Sequence, residues 1–61
     1  MKHLITITDR NGNTALILGN ITRFEQEPSV LHYTQVDPMG KPYTDHALLL
    51  EGDTLTSEAD E

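Results

Sequence analysis

A chain of 61 residues can hold one small domain at most, and with no cysteine neither a disulfide nor a cysteine-based zinc site can staple it. The formal net charge of −6 argues against direct nucleic-acid binding. Phosphate neutralisation needs clustered cations, and Lys2, Arg10, Arg23 and Lys41 are scattered.

Leu4–Thr8 alternates with period two, Ile5 and Ile7 on one face and Thr6 and Thr8 on the other, which predicts a strand. Asp9-Arg10-Asn11-Gly12-Asn13 is a hairpin loop signal. It resembles a calcium loop only superficially. Its glycine comes fourth rather than sixth, and Asn20 stands where the bidentate Glu should be. Thr14–Leu18 returns as a second strand. Its run Ala15-Leu16-Ile17-Leu18 is apolar on both faces, as in a strand between neighbours or against a partner chain.

Gly19-Asn20 reads as a break before a third strand, Ile21–Glu27. A helix competes there, because Ile17, Ile21 and Phe24 fall at i, i+4 and i+7. Pro28 ends the element either way. Val30–Val36 predicts a fourth strand, with Leu31, Tyr33 and Gln35 on one face and Val30, His32, Thr34 and Val36 on the other. Asp37-Pro38-Met39-Gly40-Lys41-Pro42 is a loop, and Tyr43–Leu50 is a fifth strand ending in Ala47-Leu48-Leu49-Leu50. Residues 51–61 hold Glu51, Asp53, Glu58, Asp60 and Glu61 without a base. That is five of the ten acids, so residues 1–50 carry only −1. The expectation for 53–61 is a flexible acidic tail following a β domain over 1–52.

The fold class predicted is therefore all-β: an antiparallel meander of four to five short strands, open or closed into a small barrel. A core this small invites association, a homodimer by default. No apolar run approaches the ~18 residues of a membrane span. Met1-Lys2-His3-Leu4 is too short and polar for an export signal, so a cytoplasmic protein without membrane contact is expected.

No constellation for chemistry emerges, and no enzyme, cofactor or metal site is expected. His3, His32 and His46 lack a spacing that would hold two on one element. Asp45 beside His46 points to the opposite strand face. Ser29 and Ser57 lie in no strained elbow. The Asn20-Ile21-Thr22 sequon has no export signal to make it matter.

What remains is contact. Tyr33 and Tyr43 flank the Asp37–Pro42 loop, where a hairpin would bring them near each other. Glu25 and Glu27 form a small acidic stripe beside Arg23. Tyr33, Tyr43, Glu25, Glu27 and Asp37 are the candidate partner-binding residues. The function expected is protein–protein binding to a basic surface. One form is a phage or mobile-element inhibitor or regulator of a host nucleic-acid-handling enzyme. The alternatives are a structural or assembly subunit using the Ala15–Leu18 and Ala47–Leu50 runs, and a small-ligand or metal-binding module between protomers.

Overall fold

The computed structural model describes residues 2–59. They form one antiparallel sheet of five strands: β1 (His3–Thr8), β2 (Thr14–Gln26), β3 (Val30–Val36), β4 (Pro42–Leu48) and β5 (Thr54–Ala59). Spatial order is β4-β3-β2-β1-β5, so four strands form the expected meander and β5 returns to the far edge beside β1. β4 and β5 do not pair, and the sheet stays open rather than closing into a barrel.

Two elements differ from the sequence expectation. Residues 14–26 are one strand of 13 residues, not two strands parted at Gly19-Asn20. Asn20 takes φ 57, a left-handed conformation that Asn tolerates. Ladder register shifts on both sides of it, between His3 and Ile5 against β1 and between Ile21 and Arg23 against β3. The pair is therefore a bulge that bends a continuous strand. The first part of β2 pairs mainly with β1, the second with β3. The helical spacing of Ile17, Ile21 and Phe24 carries no common face, since Ile17 is exposed and Ile21 fully buried.

The second correction concerns the acidic C-terminus. Residues 54–59 are not a flexible tail but β5, laddered to β1 from Thr54 opposite Thr8 to Ala59 opposite His3. Thr54-Leu55-Thr56 supplies β-branched residues around one apolar residue, and Leu55 lies opposite Ile7 and packs on the core. Without β5 the outer edge of β1 would be bare. Asp60 and Glu61 lie outside the described residues.

The same Asp-X-X-Gly-X device builds both long hairpin loops. Asp9 Oδ1 accepts the amides of Asn11 and Asn13, and Asp37 Oδ1 accepts those of Met39 and Lys41. In each loop the glycine donates its amide to the aspartate carbonyl and holds a positive φ, 87° at Gly12 and 83° at Gly40. The Asp9 carboxylate thus serves its own turn, as a hairpin loop rather than a calcium loop requires.

The core is Ile5, Ile7, Leu18, Ile21, Leu31 and Tyr33, with Phe24, Ala47, Leu49 and Leu55 packed around it. Only Leu49–Asp53 joins β4 to β5, across the whole width of the sheet. Those residues, turned at Leu50–Asp53 by an Asp53 amide to Leu50 carbonyl bond of 3.0 Å, span about 18 Å at most. Five flat strands would set the edges about 19 Å apart before any offset. The short link therefore requires the sheet to curl.

Candidate functional site

Curling without closing leaves a gap. The β3 ladder on β2 reaches back only to Ile21, so residues 14–18 have β1 on one side and no strand on the other. The end of β4 and the following link face that vacant edge across an open groove of about 480 Å³. The groove is lined by buried Ile7, Leu18 and Tyr33 and by Leu16, Leu48 and Leu50, which are exposed. Its two sides are the apolar runs Ala15–Leu18 and Ala47–Leu50 that stand out in the sequence. Leu48 and Leu50 are each 73% exposed, high for leucines bordering a core. Asp53 is the acidic residue at the groove, its Oδ2 accepting the Leu50 amide at 2.9 Å.

The two tyrosines take different positions. Tyr33 is a core residue, 8% exposed, lying opposite Phe24 on one side and Asp45 on the other. Burial, then the Asp45 charge, then Tyr43 raise its phenol above the ordinary value of 10.0. Tyr43 is exposed and lies opposite Gln35, diagonal to Tyr33 rather than across from it. Its hydroxyl donates to Gln35 Oε1 at 2.7 Å, and Gln35 Nε2 donates to the Gly19 carbonyl at 2.8 Å. This chain of bonds crosses three strands and satisfies a carbonyl that the bulge removes from the ladder. Asp37 is engaged by its own loop, as described above.

Glu25 and Glu27 face the other side of the sheet. Glu25 lies opposite His32, and Glu27 Oε1 is 3.5 Å from His32 Nε2. Arg23, Glu25, His32, Thr34 and Thr44 border a second open depression, of about 400 Å³. His32 also lies directly opposite His46, with ring centroids 6.3 Å apart. His3 stays separate, edge-on to Phe24 at 5.7 Å. Asp45 does reach His46 despite its place on the opposite strand face, with Oδ1 3.8 Å from Nδ1.

By sequence spacing alone the three histidines are dispersed. The signal that could have joined two of them is arithmetic. A hairpin that pairs Val36 with Pro42 also pairs every two residues whose numbers sum to 78, and 32 and 46 do.

Among the described residues no three His, Asp or Glu side chains stand close enough to hold a metal ion, and no helix is long and apolar enough to cross a membrane. Compared with family models, with curated proteins and with solved structures, the chain matches none.

Proposed function

We propose that this protein works by protein–protein contact, with the groove between Ala15–Leu18 and Ala47–Leu50 as its contact surface. The observation that carries this is the pair Leu48 and Leu50, left 73% exposed beside a groove whose deeper lining belongs to the core. Burying a leucine contributes roughly 1.5–3 kcal/mol, so a partner covering both gains a hot spot at once. Asp53 at the groove, Glu51 two residues before it in the chain and Asp45 on β4 favour a partner whose apolar side chains are flanked by Lys or Arg. The net charge of −6 favours the same class, a basic surface such as a nucleic-acid-handling enzyme presents. Inhibition or regulation would then follow from occupying that surface, the manner of action expected of a small phage or mobile-element protein.

The open sheet favours a second role, that of an assembly subunit. Among the described residues β4 and β5 each have one outer edge with no neighbouring strand, and a second copy could extend the sheet at either.

Site-specific photo-crosslinking separates these possibilities. A crosslinking residue at position 48 should trap a partner protein in native lysate. One at position 17, also exposed at 59% but outside the groove lining, should trap none. An adduct at twice the chain mass identifies a second copy as the occupant. Equal trapping at both positions, or trapping at 17 alone, removes the groove as the contact surface.

A further inference from the structure

We infer that His32 and His46 form a chelating site for a divalent transition-metal ion, zinc in particular, on the sheet face opposite the core. The evidence begins with the hairpin ladder. At its loop end the Asp37 amide donates to the Lys41 carbonyl at 3.0 Å, and at its open end the Leu49 amide donates to the Ser29 carbonyl at 2.9 Å. Antiparallel pairs alternate between hydrogen-bonded and non-hydrogen-bonded along a ladder. Counting inward from either end, His32 opposite His46 is a non-hydrogen-bonded pair. Those are the pairs whose side chains stand closest, with Cβ atoms about 4.5–5.5 Å apart. Two imidazoles at such a pair rise side by side from a rigid base.

The ring geometry is already near what an ion needs. Zinc binds imidazole nitrogen at about 2.0–2.1 Å with tetrahedral angles, which places two ligating ring centroids about 5 Å from each other. The observed separation is 6.3 Å with a 49° tilt, so side-chain rotation of about 1 Å completes the approach. Both side chains are more than half exposed, and nothing in their burial opposes that rotation.

The carboxylates around the pair have defined parts. Asp45 Oδ1 accepts the His46 backbone amide at 2.8 Å and lies 3.8 Å from Nδ1, which fixes negative charge beside that ring. Glu27 Oε1 stands 3.5 Å from His32 Nε2 and adds a carboxylate charge beside that nitrogen, while the chelating pair itself is the two imidazoles. Glu25, opposite His32, adds negative charge on the same face. Arg23, two residues along β2, is the nearby cation on that face. Imidazole ligands suit zinc and its neighbours in the transition series, whereas calcium and magnesium prefer oxygen alone.

The site is independent of the groove contact proposed above. His46 also borders the groove, so the test reads metal binding directly and not partner capture. Zinc chloride is titrated calorimetrically into the full chain carrying His3→Gln, in which His32 and His46 are the remaining imidazoles. The expected result is saturable binding together with a rise in melting temperature on adding zinc. Adding His32→Gln or His46→Gln should weaken that binding at least tenfold and abolish the thermal shift, while circular dichroism stays unchanged. Glu27→Gln should weaken it by less. Imidazole carbon and nitrogen chemical shifts of the two histidines, followed in the His3→Gln chain, give a readout that does not depend on variant folding. Both rings must move together with zinc. Binding that survives either His→Gln change within twofold, or a shift at one ring only, would overturn the inference.

Discussion

Gly52 is the glycine where an added side chain would meet the tightest contact, and replacing it with alanine tests how the open sheet holds its curl. It sits in the Leu49–Asp53 link with φ +89, and a Cβ built there would lie 2.6 Å from Arg10 Cβ in the first hairpin loop. Two costs follow. A left-handed conformation costs an L-residue about 1–2 kcal/mol. The contact is with the Cβ of another chain segment, not the end of a flexible side chain, so relief means moving the loop, at about 1–3 kcal/mol. The sum, roughly 2–5 kcal/mol, rivals the whole stability of a domain this small, about 3–5 kcal/mol. Gly12 provides the internal reference: its φ is +87, yet nothing lies within 4 Å of a Cβ there. Gly12→Ala should therefore show only the conformational part. Urea unfolding followed by circular dichroism measures both. Gly52→Ala should lose at least 1 kcal/mol more than Gly12→Ala, and Arg10→Gly should recover part of the excess when combined with it. Equal losses at the two glycines would show that the link does not press on the hairpin and that the close approach plays no part in stability.

Ending the chain after Gly52 should abolish cooperative unfolding rather than yield a trimmed stable domain, because it removes the six-residue partner of β1 and the Leu55 contact with the core; a sharp urea transition near the parent midpoint would refute this. Gln35→Ala should cost about 1–3 kcal/mol by chemical denaturation, since it strips the Gly19 carbonyl and the Tyr43 hydroxyl of their partner. Tyr43→Phe, which leaves the bond to Gly19 in place, should cost less. For Tyr33 the folded pKa lies above the unfolded value of 10.0. The fold favours the neutral phenol, so this contribution is fully present below the unfolded pKa and is lost as pH rises through the folded one. Stability of the parent should thus fall above about pH 10 more steeply than that of Tyr33→Phe, as read by urea midpoints across the alkaline range; parallel profiles would contradict the burial of that hydroxyl.

Much of the sheet was legible because period-two patterning decides faces without help from tertiary structure. Leu31 and Tyr33 were placed on one side of a strand and His32 and Thr34 on the other, and the ladders keep that division. The two loops were legible for a related reason: Asp and Gly at fixed offsets make local bonds that need no distant partner. What failed was non-local. Gly19-Asn20 carries the composition of a turn, and only pairing with β1 and β3 on either side makes it a bulge. Thr54–Ala59 carries the composition of a solvated tail. It becomes a strand because β1 has an unpaired edge, a fact located some fifty residues earlier in the chain. The candidate site divided along the same line. The two apolar runs announced themselves by composition, whereas their meeting across a groove depends on the curl, and the His32–His46 pair depends on hairpin register.

One geometric constraint underlies both the groove and the close approach at Gly52. Five strands are enough to curl around six buried side chains, but β4 and β5 do not meet. Had the link been longer, the sheet could relax toward flatness and expose Ile7, Leu18 and Tyr33 outright. Had β4 paired with the free edge of residues 14–18, the barrel would close and Leu48 would lose its access to solvent. The five-residue link fixes the sheet between these limits, held by the Leu50–Asp53 turn and running close beside Arg10. Leucines at positions 48 and 50, where a solvent-facing strand end would ordinarily carry polar residues, run against the stability and solubility of an isolated monomer. Burial against another surface, as proposed above, is the physical condition in which they would cease to be a liability.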